Sequence, residues 1–272
     1  MKTVTVEDAL LRCEHTPRPG APALLLINSL GTSLEMWDDQ AAILQQHFEL
    51  VRYDVRGHGE SSSGSTSELT LERLGRDALA VLDACGIARA HLCGISLGGM
   101  TAMEIASAWP DRVLRIALCS TAAYMPPREN WESRIDIVKS RGMTALVQSI
   151  LGKWFTEEFG TSNPERVDKI RQMLLSADPA GYAACCAAIR DMDLRESIKN
   201  IISTTLVIGG SKDEVAPERE LRLIADSVPD SRLTMLEAAH LVNIERAQEF
   251  TDALLSFLGA GPVPVEVSAS PS

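Results

Sequence analysis

The stretch Ala90-His91-Leu92-Cys93-Gly94-Ile95-Ser96-Leu97-Gly98-Gly99-Met100 constrains the fold more than any other part of the chain. It fits the pattern Gly-x-Ser-x-Gly, with an apolar run before it and a helix-like run, Met100 to Trp109, after it. A serine on a sharp turn between a strand and a helix is crowded on both sides, so the flanking positions must be small. Gly94 and Gly98 meet that need around Ser96. Such a turn lifts the hydroxyl above the sheet edge. It also sets the backbone N–H of Leu97 at a helix N-terminus, where it can face a developing oxyanion.

The chain has 272 residues, enough for one large domain or two small ones. Its apolar share of 45% and mean hydropathy of +0.02 support a substantial core. No apolar run approaches the ~18 to 20 residues needed to span a bilayer. The longest candidate, Ala21 to Leu30, is short and contains Pro22. The N-terminus lacks a basic region followed by an apolar stretch, so no secretory signal is expected. The cysteines (Cys13, Cys85, Cys93, Cys119, Cys185 and Cys186) have no metal-ligand spacing and fall mostly in apolar segments. They read as reduced core thiols of a cytoplasmic protein. With 26 basic and 37 acidic residues the net charge is -11, which argues against nucleic acid and anionic membranes as partners. An anionic small molecule would need a local cation to overcome that field.

Short apolar runs read as strands: Ala23 to Ile27, Leu50 to Tyr53, His91 to Cys93, Val113 to Cys119, Thr205 to Ile208 and Ser231 to Leu236. Helical patterns at Leu69 to Cys85, Met100 to Trp109 and Glu245 to Leu258 alternate with the later ones. That alternation predicts an α/β fold with a mostly parallel central sheet and helices on both faces. It fails between about Ala122 and Lys199, a helical segment carrying Trp131, Arg134, Lys153, Trp154, Phe155, Tyr182 and Arg190. We expect residues 122–199 to form a helical cap inserted before the strand that carries the catalytic acid. Residues 1–121 and 200–258 would form the core, and the Gly/Pro/Ser-rich residues 259–272 a disordered tail.

A serine hydroxyl needs a base to take its proton, and histidine titrates in the right range. For a serine on such an elbow the acid and then the histidine follow in sequence. Of the five histidines (His15, His47, His58, His91 and His240), only His240 lies after Ser96. The acid should leave a strand between them, and Thr205 to Gly210 leads into Ser211-Lys212-Asp213-Glu214. Asp213 is the first choice, to hold the imidazole tautomer and stabilise the imidazolium. Glu214 is the alternative, and Asp191 and Asp193 fall in the expected cap. The second oxyanion donor should come from Asn28-Ser29-Leu30-Gly31-Thr32, where the N–H of Leu30 would pair with that of Leu97. Asp54 and Arg56, in the turn Asp54-Val55-Arg56-Gly57-His58-Gly59-Glu60-Ser61, read as loop braces. Asp54 and His58 have no further ligands nearby to suggest a metal site.

From about Ala21 to Leu258 the chain resembles α/β-hydrolases. Within them it is most similar to the 3-oxoadipate enol-lactonase family of bacterial aromatic catabolism. The resemblance rests on the Asn28 to Thr32 loop with Met36-Trp37, on Arg52 to Gly59 and on Cys93 to Gly99. Trp131-Glu132-Ser133-Arg134, Lys153-Trp154-Phe155-Thr156, Gly181 to Ala188 and Ala239 to Asn243 complete it. Leu97 often gives way to Met in that family and Val242 to Ser, and the strands before Leu24 look abbreviated.

The resemblance implies an anionic lactone substrate, a five-membered enol-lactone with a carboxymethyl arm, opened by Ser96 with His240 as base. No cofactor or metal is implied. A buried carboxylate needs a cation. Arg134, assisted by Trp131 three residues earlier on the same helix face, is the expected partner. Three other readings share the same residues. They are a broader carboxylesterase or lactonase, a carbon–carbon bond hydrolase, and a ligand receptor on a hydrolase fold.

Overall fold

The computed structural model describes residues 2–66 and 69–260. An eight-stranded sheet runs through it in the order β1-β2-β4-β3-β5-β6-β7-β8. The strands are β1 (Lys2–Val6), β2 (Ala9–Thr16), β3 (Ala23–Ile27), β4 (Glu49–Tyr53), β5 (Ala90–Ile95), β6 (Val113–Cys119), β7 (Thr205–Gly210) and β8 (Ser231–Leu236). From β4 to β8 all neighbours are parallel, whereas β2 is antiparallel to both β1 and β4. The central strands β3, β5 and β7 are buried throughout, as their near-continuous apolar sequences require in a sheet covered on both faces.

The N-terminal strands are not abbreviated. Val4 and Val6 point inward while Thr3 and Thr5 face out, the period-two pattern of a half-covered edge. The tight turn at Glu7-Asp8 brings Val6 opposite Ala9. Those alternating residues form no solid apolar run, so the hairpin escapes a search for buried strands.

α1 (Asp38–Leu44) links β3 to β4 in one direction along the sheet. α2 (Leu71–Ala84) returns the chain across β3 to β5. Right-handed crossovers therefore put these helices on opposite faces. α2 is capped by Thr70, whose hydroxyl accepts from the Arg73 N–H, and it buries Leu71, Leu74, Ala78, Val81 and Leu82 along one stripe. It packs on α3 (Leu97–Ala108), while α1 packs on α11 (Ala247–Leu258). The last helical stretch is broken at Arg246 into α10 (Val242–Glu245) and α11. Gly259 adopts a left-handed conformation, and Ala260 N–H bonds back to Leu255 O. These two residues thus terminate α11 rather than begin a tail. The rest of the expected tail, 261–272, lies outside the described residues.

Between β6 and β7 the chain forms five α-helices, a short 3-10 turn at Ser197–Asn200 and no strand. The α-helices are α4 (Arg128–Arg141), α5 (Thr144–Trp154), α6 (Glu157–Ser162), α7 (Pro164–Ser176) and α8 (Pro179–Asp191). α9 (Glu218–Ser227) then packs on β7 and β8. The inserted helices meet the loops at the C-terminal ends of the parallel strands. A Cβ on Gly57 would lie 2.6 Å from Gly181 Cα, and one on Gly31 would lie 3.2 Å from the Tyr182 ring. Among the described residues no helix is long and apolar enough to cross a membrane.

Candidate active site

Parallel strands deliver their C-terminal ends to one edge, and the predicted residues gather there. Leu30 follows β3, Ser96 follows β5, Asp213 follows β7 and His240 follows β8. Ser96 has φ 55 and ψ -116, a strained conformation for a residue with a side chain. The neighbouring chains hold it there: its N–H donates to Cys119 O at 2.9 Å, and its carbonyl accepts from Thr121 Oγ1 at 2.8 Å. The glycine requirement is steric. A Cβ on Gly94 would sit 2.2 Å from Gly98 O, and one on Gly98 would sit 2.1 Å from Ile27 O. Leu97 opens α3, so its N–H has no acceptor within the helix.

The loop after β3 is shaped by side chains. Asn28 donates to Tyr53 O at 2.8 Å and accepts from Trp37 Nε1 at 3.0 Å. Thr32 Oγ1 donates to Ser29 O at 2.8 Å. The Leu30 N–H makes no hydrogen bond among the described residues, so its donor capacity is unspent.

Asp213 Oδ2 lies 2.8 Å from His240 Nδ1, with both side chains buried. Asp213 Oδ1 accepts the N–H groups of Val215 and Ala216 at 2.7 and 3.0 Å, which fixes the carboxylate. A carboxylate offers only lone pairs, so Nδ1 carries the proton and Nε2 is left with the lone pair a base needs. Ser96 Oγ and His240 Nε2 make no hydrogen bond among the described residues. Such bonds are often long before substrate binds. The indole of Trp154 stacks on His240, with ring centroids 6.2 Å apart. Glu214 is exposed and does not reach His240, while Asp191 and Asp193 pair with Arg190 and Arg195. Asp213 is therefore the only one of the four candidate acids that meets the histidine.

In the inserted helices, Trp131 and Arg134 share a face of α4, as the three-residue spacing predicts, and the Arg134 guanidinium lies 5.0 Å over the Trp131 ring. Its Nη1 also donates to Tyr182 Oη at 3.5 Å. Both Trp131 and Arg134 line a cavity of about 220 Å³, together with Asn130, Lys153, Glu214 and Val215. Burial pushes the Tyr182 phenol above its usual range, so it stays protonated. Its ring lies 6.3 Å from that of His58. The His58 Nδ1–H donates to Arg56 O at 2.7 Å, and burial lowers its pKa, keeping the ring neutral.

Asp54 and Arg56 act as braces. Asp54 accepts from the N–H groups of Leu34 and Glu60, at 2.7 and 3.0 Å. Arg56 pairs with both carboxylate oxygens of Asp77 and reaches Asp8 at 2.9 Å.

Residues 22–247 match the alpha/beta hydrolase fold family. The chain belongs to that family. It is 35% identical to 3-oxoadipate enol-lactonase 2 of Acinetobacter baylyi, over 93% of this chain and 94% of the relative. Among solved structures it superposes on the enol-lactonase from Burkholderia xenovorans with a TM-score of 0.93 at 38% identity. That match covers 95% of this chain and all of the other. A hydrolase from Pseudomonas aeruginosa gives 0.92 at 40% identity, covering 95% and 98%.

For a member of the alpha/beta hydrolase family the chain thus has its elbow serine, acid and histidine at the expected strand ends, and it is an enzyme of the hydrolase class. Three contacts of this hydrolase had no counterpart in the sequence reading. They are Trp154 on His240, Tyr182 between Arg134 and Gly31, and Glu245 beneath the histidine loop. The first two join residues far apart in the chain, and Glu245 meets Ala239 six residues before it only because the chain turns back between them, so no spacing or periodicity announces any of the three.

Proposed function

We propose that the chain hydrolyses 3-oxoadipate enol-lactone to 3-oxoadipate through a Ser96 acyl-enzyme, in aromatic compound catabolism. The observation that carries the reading is Arg134. Held over Trp131 and hydrogen-bonded to Tyr182, whose ring packs on Gly31 beside Leu30, it is a cation joined to the Leu30 loop through a single side chain. In a chain of net charge -11 a cation so situated suits an anionic substrate. The enol-lactonase names of the similar proteins support the same choice.

In this reading the five inserted helices are a cap, residues 122–199, over a core of residues 1–121 and 200–258. Ser96 Oγ attacks the lactone carbonyl while His240 Nε2 takes its proton and Asp213 stabilises the imidazolium. The N–H groups of Leu30 and Leu97 hold the tetrahedral oxyanion. Losing one such donor costs about a hundred- to a thousand-fold in rate. Collapse breaks the ring C–O bond and expels an enolate. His240 returns the proton to it, and the enol tautomerises to the ketone. Water, activated by His240, then cleaves the acyl-enzyme and frees the second carboxylate. Arg134, with Trp131, holds the carboxymethyl arm throughout. Six unbridged thiols, five of them buried, suit a reducing cytoplasm.

The test is hydrolysis of the enol-lactone, followed by its ultraviolet absorbance, against a neutral aryl ester, with Ser96→Ala as the blank. A kcat/KM orders of magnitude higher for the lactone is expected. Fast ester hydrolysis with poor lactone turnover would make the protein a general esterase. Failure on both would turn attention to carbon–carbon bond substrates and then to a ligand receptor.

A further inference from the structure

Glu245 is a buried carboxylate whose partners come from two separate parts of the fold. It is 8% exposed, at the end of α10. Its Oε2 accepts the N–H of Ala239, the residue before His240, at 3.1 Å. Its Oε1 accepts the hydroxyl of Thr156 at 2.5 Å, and Oε2 also accepts the Thr156 N–H at 3.3 Å. Thr156 belongs to the inserted helices, where it caps α6 through the Phe159 N–H. Two further contacts run across the same junction. Leu241 N–H donates to Trp154 O at 3.1 Å, and the Trp154 ring stacks on His240. The histidine loop, residues 239–241, is thereby fastened on both sides to residues 154–156.

No cation pairs with Glu245 among the described residues. A buried carboxylate without a counter-ion is costly, and an apolar side chain would pack at lower expense. What a carboxylate alone supplies here is two acceptor oxygens for three donors from two segments. Gln offers one acceptor oxygen and turns an N–H₂ towards a donor. Glu245 touches neither Ser96 nor the imidazole, so any effect on the chemistry passes through the Ala239–Leu241 backbone.

We propose that Glu245 is a positioning residue that locks the His240 loop to the inserted helices, so that the seating of those helices sets the alignment of the base with Ser96. The proposal rests on the reading of Ser96 and His240 as nucleophile and base. It does not depend on which ester or lactone is the substrate. Helices that shift without losing contact with Glu245 would carry the His240 loop with them.

A neutral fluorophosphonate probe separates these questions. Ser96 Oγ attacks phosphorus, the P–F bond breaks, fluoride leaves and His240 accepts the serine proton, so the labelling rate reads base alignment without any carboxylate to bind. Glu245→Gln and Thr156→Val each remove part of the bridge. Each is expected to slow labelling about 10- to 100-fold, the usual penalty for misplacing a catalytic group. The double variant should be no slower than Glu245→Gln alone, because both changes cut one connection. Far-ultraviolet circular dichroism and melting temperature report whether each variant is folded. If Glu245→Gln fails to fold, Thr156→Val, which removes a single hydroxyl, decides the matter. Labelling at the parent rate in a folded Thr156→Val variant overturns the proposal. So do multiplicative effects in the double variant, which would mean the two residues act independently. If the parent protein is not labelled, or is labelled equally fast in His240→Ala, the reading of the nucleophile and base fails and the proposal with it.

Discussion

Asp213 and His240 meet at 2.8 Å although 27 residues separate them, and the Val215 and Ala216 N–H groups pin the second carboxylate oxygen. This leaves the imidazole with one tautomer and a free Nε2 facing away from the acid. Asp213→Asn presents an N–H₂ or a weaker acceptor to Nδ1 and favours the wrong tautomer. It should lower kcat about 10⁴-fold with little change in KM. Steady-state kinetics on the lactone or on an aryl ester will measure it. Glu214→Gln, an exposed neighbour, should leave kcat within a factor of about 3.

Arg134 tests the substrate reading directly. Arg134→Ala removes one charge-assisted interaction, worth about 1.5–3 kcal/mol, and should raise KM for the anionic lactone about 10- to 100-fold. A neutral ester of similar size should lose far less. Equal losses on both substrates would show that the guanidinium supports the inserted helices rather than the carboxylate.

The elbow tolerates no side chain at two positions. Gly98→Ala drives a methyl against Ile27 O and Asn28 O, with Cβ distances of 2.1 and 2.8 Å. Because those atoms are backbone, the strand must move or the turn must open. Loss of about 3 kcal/mol or more is expected, together with loss of activity. Denaturant titration beside a turnover assay will report both. Gly152→Ala, in α5 with open space around it, should be neutral or slightly stabilising by the same measurement.

Acid should weaken the fold through buried imidazoles. Burial, with added repulsion from Arg115, pushes the His91 pKa down to about 4 from 6.5. Burial lowers His58 as well. Between those values the unfolded chain binds the proton and the folded chain does not. The His91 contribution is therefore complete above about 6.5 and is lost as pH falls towards 4. At about pH 5 this amounts to about 2 kcal/mol. Melting temperatures from neutral pH downward should fall, and His91→Leu, beside Phe48, should show a shallower decline. A parallel decline in both proteins would assign the acid sensitivity elsewhere.

Much of this protein was legible in its sequence because the deciding constraints are local. The elbow needs small residues two positions either side of Ser96, and a single run of eleven residues expresses that need. Solid apolar runs mark β3, β5 and β7 because both faces of those strands are covered. The order serine, acid, histidine left one histidine, and the three-residue spacing put Trp131 and Arg134 on one helix face. The edge hairpin of β1 and β2 looks abbreviated in the sequence because half-buried strands carry only a weak alternating signal.

Tertiary structure decided the rest. Sequence order left Asp213 and Glu214 both open, and only the folded turn, which pins Asp213 against the Val215 and Ala216 N–H groups, buries one against His240 and leaves the other to solvent. Glu245 reads as an ordinary helical acid until the fold brings Thr156 to it across 89 residues of chain. Tyr182 reaches both Arg134 and Gly31 only after α8 crosses the strand ends. The physical reason is common to all three. Backbone sterics and hydrophobic periodicity act between near neighbours and leave a pattern in the chain, whereas a hydrogen bond between distant segments depends on where the packed elements end.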